Sequence, residues 1–417
     1  MAHVCLLGLG YIGLPTAAVL SLHGHRVTGV DVRPEVVEDL RQGRVHIKEP
    51  DLTAIVRDAL RSGNLTVSHA PVPADVFLLC VQTPVAGHRA DLSYLRKAAE
   101  SVLPVLRKGN LVIIESTVPP GTTANVLRPL LEGSGLSVPG DFGLAFCPER
   151  VMPGQVLREL VENDRVIGGL DPASAQKAKE LYASFVRGEI LTTDCTTAEF
   201  VKIIENVYRD VNIAFANELA VMAGRLGVDV WQAISLANRH PRVQILRPGP
   251  GVGGHCIPVD PWFLMEATLE SALLESARAV NQAMPLRIVD FVTRILGGQT
   301  SPKIAALGVA YKGGVGDIRD SPAIRVIEAL KARGGRVTAY DPHVSRDEFP
   351  LSSLEDSVTD ADCIVILTDH REFGHIDPIS MAPRVQGKVL IDTRDCVDHA
   401  RWQKAGFHVH VFGRGEA

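Results

Sequence analysis

The residues best suited to covalent chemistry gather around one loop. Positions 247–263 read RPGPGVGGHCIPVDPWF, so Gly249, Gly251, Gly253 and Gly254 lead into Cys256. Repeated glycine lets a backbone turn sharply and crowd a ligand, and a cysteine at the end of such a run is placed to be reached. A thiol becomes a nucleophile when cationic groups or a helix N-terminus favour the thiolate. His255 is adjacent in sequence, and Lys202 is a candidate for charge brought in from elsewhere. The other cysteines differ in setting. Cys5, Cys80 and Cys363 sit in apolar runs and read as inert core. With Cys147, Cys195, Cys396 and Cys256 itself they make seven, with no CxxC and no metal-type cluster, so no metal site is expected and the thiols are expected to be reduced. A second group is Lys202, Asn206 and Arg209, whose spacings of four and three put them on one face of a helix. Spacing alone favours a solvated face for this trio. The glycine–cysteine loop favours a site.

A different chemistry is written at the start of the chain. Gly8-Leu9-Gly10-Tyr11-Ile12-Gly13 follows the apolar run Val4–Leu7 and opens a helix-like stretch, Leu14–Ser21. In that context the first glycine makes the turn, the second admits a pyrophosphate, and the third lets helix pack on strand. The helix amides then face the anion. Asp31 ends the next strand, Arg26–Val30, where a carboxylate accepts from a ribose 2′-hydroxyl and repels a 2′-phosphate. NAD is therefore expected rather than NADP, although Arg33 nearby weakens the preference. Thr83 and Thr117 follow the strand-like runs Val76–Val81 and Leu111–Glu115 and stand at the edge where open α/β sheets bind ligands. Asp75 begins its strand, at the opposite edge, and reads as structural.

The elements that must position these groups fall into three parts. Continuous apolar strands, Gly143–Phe146 among them, alternate with helices in the first part, as in a parallel sheet covered on both faces. From Thr197 to Leu226 there is no proline, and no glycine before Gly224, which predicts one helix of about 40 Å capped by Thr196 or Thr197. Helix-like sequence continues through Val230–Ala237 and Pro261–Ala283. The last third echoes the first: KIAALGV at Lys303, RVTAYD at Arg336, DCIVILTDH at Asp362 and GKVLIDTRD at Gly387. The echo is either a repeat or the common patterning of α/β chains. The expected fold is α/β, with two Rossmann-like doubly wound domains joined by a helical middle domain. Its parts are 1–195 for the cofactor, 196–298 for the helical centre and 299–417 for the second Rossmann-like unit.

Charge narrows the partners. Against 43 basic residues stand 48 acidic ones, a net charge of −5, which disfavours bulk nucleic-acid or anionic-membrane binding. No run supplies the ~18 uncharged apolar residues of a membrane span. The apolar N-terminus lacks a basic leader and reads as a first strand. A cytoplasmic protein is expected.

Several motifs occur in order along the chain: GLGYIGLP at Gly8, STVPPGTT at Ser116, CPERVMPG at Cys147, NDRVIGG at Asn163, KIIEN at Lys202, GVGGHC at Gly251 and AYKGGVGDIRDSP at Ala310. Together they resemble the UDP-glucose/GDP-mannose dehydrogenase family over nearly the whole chain. The resemblance implies NAD-dependent, four-electron oxidation of a nucleotide-sugar primary alcohol to a carboxylate. It implies Cys256 as the covalent nucleophile, Lys202 and Asn206 around the reacting oxygen, and Glu149 and Asp260 supporting the hydrolytic water. It also implies cofactor contacts at Gly8, Gly10, Tyr11, Ile12, Gly13, Asp31, Thr83, Thr117 and Arg319. Substrate contacts would be Arg150, Val151, Lys202, Asn206, Arg209, His240, Arg242, Gly253, Tyr311 and Lys312. EPDL at Glu49, RDVNIAFANEL at Arg209 and ANRHPRVQIL at Ala237 are most similar to the members acting on UDP-N-acetyl-D-mannosamine, with UDP-N-acetylglucosamine the alternative. Members acting on UDP-glucose carry lysine in CFPKD, where this chain has Val259. One departure is Gly316-Asp317, where the family often has two acids. A homodimer is implied. The competing readings are a two-electron hydroxyacid dehydrogenase, which needs neither the cysteine nor a third domain, and a non-catalytic nucleotide-sugar binder.

Overall fold

The computed structural model describes residues 1–268 and 270–415; Leu269 and residues 416–417 lie outside them. The chain divides into two compact units, Met1–Glu205 with Trp262–Leu269, and Asn206–Pro261 with Glu270–Ala417.

The first unit is built on β1 (His3–Leu7), β2 (Arg26–Val30), β3 (Leu65–Ser68), β4 (Val76–Leu79), β5 (Leu111–Ile114), β6 (Gly143–Phe146), β7 (Arg165–Gly169) and β8 (Ile190–Asp194). They form one sheet in the order β8-β7-β6-β5-β4-β1-β2-β3. β4, β5 and β6 are buried throughout because helices cover both faces, which is why they are uniformly apolar. The exception to parallel pairing is β6 against β7. The connection between them does not cross the sheet, so residues 147–164 stay at the edge where β6 ends. Sequence patterning missed β3, β7 and β8. β3 is an edge strand, β8 is mostly exposed, and β7 opens on a charged residue, so none shows an apolar run.

The helix α1 (Gly13–Leu22) follows β1 directly, and the helix α2 (Cys195–Leu226) follows β8. The start of α2 differs from the expectation. Asp194, rather than Thr196 or Thr197, accepts from the Thr197 amide at 2.9 Å and from its hydroxyl at 2.6 Å.

The second unit carries β9 (Lys303–Leu307), β10 (Arg336–Tyr340), β11 (Cys363–Ile366), β12 (Val389–Asp392) and β13 (His408–Val411), in the order β10-β9-β11-β12-β13, all parallel. Its core also contains Ala216, Ala220 and Ala223 of α2 and Met284, Ile288 and Val292 of α4 (Ala272–Ile295), numbered after α3 (Asp260–Ala267). The later part of α2 therefore packs in the same core as the second sheet.

The sequence echo is a repeat at the level of single hydrogen bonds. Gly8 donates to the Val30 carbonyl and Gly308 to the Tyr340 carbonyl, both at 2.8 Å. Leu9 donates to Asp31, and Val309 to Asp341. His3 donates to Asp75, and Lys303 to Asp362, both at 2.7 Å. Asp75 is thus structural, as its position at a strand start implied.

Candidate active site

The glycine-rich turn of the first unit fits a dinucleotide. At Gly8 (φ +97°) a Cβ would lie 2.5 Å from the Cys80 carbonyl oxygen, and at Gly13 it would lie 1.9 Å from the Gly8 oxygen. At Gly10 it would meet nothing within 4 Å. The outer glycines are required by the fold. The middle one leaves open space where a pyrophosphate must approach the backbone. Asp31 stands at the end of β2, receiving the Leu9 amide at 3.1 Å and the Arg33 side chain at 3.2 Å. Burial alone would raise its pKa; the Arg33 hydrogen bonds outweigh burial and hold it below the usual carboxylate value. Tyr11 donates to Glu49, whose carboxylate also takes the amides of Gly154 at 3.0 Å and Val156 at 2.9 Å. The Thr83 hydroxyl donates to the Thr117 carbonyl at 2.5 Å, which ties together the loops after β4 and β5. Glu199 of α2 receives the amides of Gly121 at 2.5 Å and Thr123 at 2.8 Å and so fixes the STVPPGTT loop.

The loop after β6 brings the next group together. Lys202 Nζ donates to the Glu149 carbonyl oxygen at 2.7 Å. The Glu149 side chain is buried, receives the Arg150 amide at 2.8 Å, and pairs with Arg165 at 2.8 Å. Arg150 pairs in turn with Glu205 of α2 at 3.1 Å. Val151 is half-buried beside them. Sequence reading missed the buried cluster beneath. Arg165 lies 4.8 Å from the Tyr182 ring centroid, Tyr182 donates to Glu115, and the Cys80 thiol donates to Glu115 at 2.7 Å. Burial pushes the Glu115 carboxyl up, against the charge of Arg165. The available signal was NDRVIGG itself, a charged residue opening an otherwise apolar strand.

The second unit holds the thiol. Cys256 is the exposed cysteine of the seven, and none of the seven is in a disulfide. Its carbonyl oxygen accepts from Val259 at 3.0 Å and Asp260 at 2.9 Å, which starts the turn into α3. Asn206 is buried; its amide donates to Asp260 at 2.5 Å, and its oxygen accepts from Arg209. Of the polar trio of α2, Asn206 is buried and Lys202 half-buried, while Arg209 is exposed and reaches back to Asn206. A Cβ on Gly253 would lie 2.8 Å from Tyr311 Cβ, and one on Gly254 would lie 3.0 Å from the Tyr311 ring. The Gly254 amide donates to the Arg319 carbonyl at 2.9 Å, and the Arg319 side chain pairs with Asp317 at 2.5 Å. Burial raises the Tyr311 phenol, and charge on Asp317 and Cys256 adds to that. Tyr311, Arg319 and Cys256 are thus electrostatic neighbours. The single acid of the Gly316-Asp317 departure is the one that holds Arg319. Lys312 is exposed. His240 and Arg242 stand exposed on a separate loop, fastened by Asn238 to Ile245 at 2.7 and 2.9 Å.

A dinucleotide turn ending at a carboxylate, and an exposed thiol among arginine, tyrosine and a buried Asn–Asp pair, are the equipment of a pyridine-nucleotide dehydrogenase. Residues 2–186 match the NAD binding domain of the UDP-glucose/GDP-mannose dehydrogenase family, 196–283 its central domain and 305–399 its UDP binding domain, and the chain belongs to that family. It is 47% identical to a UDP-N-acetyl-D-mannosamine dehydrogenase of Methanococcus maripaludis, over 99% of this chain and 97% of the relative. It is 46% identical to an NDP-N-acetyl-D-galactosaminuronic acid dehydrogenase of Ralstonia solanacearum, over 94% and 95%. The structure of a UDP-D-ManNAc dehydrogenase from Pyrococcus horikoshii superposes with a TM-score of 0.93 at 43% identity, covering 100% of both chains. Among the described residues, no helix is long and apolar enough to cross a membrane.

Proposed function

We propose that this protein oxidises the C6 primary alcohol of UDP-N-acetyl-D-mannosamine to the carboxylate, with Cys256 as covalent nucleophile. The observation that carries the reading is the exposed Cys256 in the same unit as Arg319, Tyr311 and the buried Asn206–Asp260 pair. The names of the relatives from Methanococcus and Pyrococcus support the sugar.

Bound NAD would accept a hydride in each of two oxidations. Gly8, Gly10, Tyr11, Ile12 and Gly13 would line the dinucleotide, Asp31 would take the ribose hydroxyls, and Thr83, Thr117 and Arg319 would complete the contact. Arg150, Val151, Arg209, His240, Arg242, Gly253, Tyr311 and Lys312 would hold the sugar nucleotide. Arginine suits a diphosphate because its fork of donors matches two oxygens. Lys202 would shuttle the alcohol proton. The Cys256 thiolate adds to the aldehyde carbon and forms a C–S bond, while Lys202 and Asn206 donate to the resulting alkoxide. Each such donor is worth ~3–4 kcal/mol in comparable sites. Once oxidised, this adduct is a thioester. Water held by Glu149 and Asp260 adds to its carbonyl, the C–S bond breaks, and the thiolate returns as the acid leaves. Residues 1–195 would serve the cofactor, 196–298 would supply the Lys/Asn helix and the thiol, and 299–417 would hold the nucleotide.

Assembly as a homodimer belongs to the same proposal. Phe200, Ile204, Tyr208, Phe215 and Met222 are all exposed on α2, and at 100° per residue they share roughly one quarter of its circumference. Lys202, Asn206 and Arg209 lie on other faces of it. A second copy is the occupant that an apolar stripe on one long helix suits. Seven thiols without a disulfide fit a reducing, cytoplasmic compartment.

The test is NADH formation with UDP-ManNAc, UDP-GlcNAc, UDP-GalNAc, UDP-glucose and GDP-mannose. Two NADH per UDP-ManNAc, at a kcat/KM at least tenfold above the other sugars, is expected. A better rate with another sugar overturns the substrate, and one NADH per sugar overturns the four-electron chemistry.

A further inference from the structure

A chain of buried polar side chains runs through the core of the second unit and ends at the glycine loop. Asp210 of α2 pairs with Arg278 of α4 at 2.6 Å, and the side chains are 1% and 5% exposed. Asn281 donates to the Asp210 carboxylate at 2.8 Å and to the Asp210 carbonyl at 2.9 Å. Asn217 donates to the Asn281 side-chain oxygen at 2.9 Å. The Gly249 amide donates to the Asn217 side-chain oxygen at 2.8 Å. Arg278 and Asn281 share Asp210 Oδ1, and beyond it each asparagine donates through its nitrogen and accepts through its oxygen, so the amide orientations of both are determined.

A second contact reaches the same loop. Pro285 lies inside α4 and has no N–H. In a regular helix that N–H would bond the carbonyl of Asn281, one turn earlier. The Asn281 carbonyl instead faces Gly251, where a Cβ would stand 3.0 Å from it and 3.5 Å from the Pro285 ring. Gly251 has φ +132°, a conformation open to glycine. The side chain of Asn281 thus leads through Asn217 to Gly249, while its backbone abuts Gly251.

Stability does not account for this arrangement. Asp210 Oδ2 and Arg278 Nε are buried without partners among the described residues. An apolar core of the same volume is commonly at least as stable as a buried ion pair. What the network specifies is the path of the backbone ahead of Cys256.

We propose that Asn217 and Asn281, seated by the Asp210–Arg278 pair and helped by Pro285, are positioning residues that set the glycine loop and thereby the reach of Cys256. This rests on Cys256 being the nucleophile. The first oxidation, alcohol to aldehyde, makes no bond to the thiol, whereas the second requires it. Loss of the network therefore slows the second oxidation and spares the first.

The experiment uses the full-length enzyme with UDP-ManNAc under single turnover, resolving the first and second NADH, alongside hydrogen exchange of the 247–256 peptide. Asn217→Leu keeps the volume and removes the acceptor. It is expected to slow the second NADH at least tenfold relative to the first, with the KM for the sugar within about twofold, and to speed loop exchange. Asn217→Asp keeps an acceptor for the Gly249 amide but sets an oxygen against the Asn281 oxygen, and is expected to restore only part of the second phase. Pro285→Ala returns an N–H to the Asn281 carbonyl. It is expected to hold or raise the melting temperature while slowing the second NADH several-fold, which a merely structural role would not do. If Asn217→Leu does not fold, Pro285→Ala decides. Equal slowing of both phases, or wild-type phases and loop exchange in Pro285→Ala, overturns the proposal. Wild-type enzyme yielding one NADH, or Cys256→Ser yielding two at the normal rate, overturns the nucleophile reading. Loop exchange in the variants would still report on the network.

Discussion

The Arg165 guanidinium stands 2.8 Å from the Glu149 carboxylate, with the two side chains only 4% and 7% exposed. Glu149 is therefore an ion-paired carboxylate, held by Arg165 on one oxygen and by the Arg150 amide on the other. With both oxygens engaged, Glu149 is fixed in orientation, as its proposed role of holding the hydrolytic water requires. Replacing Arg165 with leucine strands a buried charge, and a loss of about 3–5 kcal/mol in urea unfolding is expected. Replacing both Arg165 and Glu149 with leucine should recover much of that loss. A double variant no better than R165L would mean that packing of the guanidinium against Tyr182 and Phe185, rather than charge, dominates the site.

Glu115 lies in the same cluster with its pKa raised, chiefly by burial. A carboxyl that binds its proton more tightly when folded loses stability as pH rises from the ordinary carboxylate value toward its folded pKa. Glu115→Gln keeps an acceptor for Tyr182 and removes the titration. It should match or exceed wild type in melting temperature at pH 8 and lose that advantage at pH 5. A variant less stable at both values would show that the protonated carboxyl donates a hydrogen bond the amide cannot replace.

What the sequence disclosed depended on whether a residue's role was local. The Gly8–Gly13 turn, Asp31, the thiol at the end of its glycine run and the length of α2 follow from nearest neighbours along the chain. Arg165, Glu115, Tyr182 and the Asp210–Asn281–Asn217 chain do not. Apart from the charge of Arg165 at the start of β7, each looks unremarkable in its own segment, and each acquires its meaning from a partner many residues away. Asp210 and Asn217 lie on α2 where periodicity permits either a solvated face or a packed one; contact with Arg278 and Asn281 of α4 decides it. The antiparallel β6–β7 pair was equally hidden, because parallel and antiparallel strands are written in similar residues when both are buried.

The repeat gives a pH prediction. Asp341 is the counterpart of Asp31, but its carboxylate is fully engaged by the amides of Val309, Ala310, His343 and Val344 and by His370 at 3.0 Å. Burial opposes ionisation, yet the His370 hydrogen bond and the backbone donors outweigh it and hold the pKa at about 2, against an ordinary 3.8. The folded value is depressed, so its stabilisation is complete above pH ~3.8 and fades as pH falls toward 2. The difference is worth about 2 kcal/mol. Asp341→Asn should lose at least that much at pH 7, and the gap to wild type should narrow in acid unfolding below pH 4. A gap independent of pH would assign the loss to packing alone.

Asp31 differs from Asp341 in having Arg33 beside it, with that arginine about half exposed. An arginine free to leave its carboxylate can turn toward a 2′-phosphate. Asp31→Ala is expected to raise the KM for NAD at least tenfold and bring NADP within tenfold of NAD. Asp31→Ala with Arg33→Ala should lose NADP again. If NADP use survives without Arg33, another cation reads the phosphate.

The three glycines of the cofactor turn separate folding from binding. A methyl at Gly13 would lie 1.9 Å from a backbone oxygen of the same turn, and no rotamer change relieves a backbone clash. Gly13→Ala should therefore lose several kcal/mol or fail to fold. A methyl at Gly10 meets nothing within 4 Å of protein. Gly10→Ala should keep its melting temperature within a few degrees and still bind NAD at least tenfold more weakly, because the methyl occupies the approach to the backbone. Calorimetric titration of NAD into each folded variant checks this. Unchanged NAD affinity in Gly10→Ala would mean the pyrophosphate does not cross that glycine, and the cofactor would have to be placed elsewhere along the edge formed by Thr83 and Thr117.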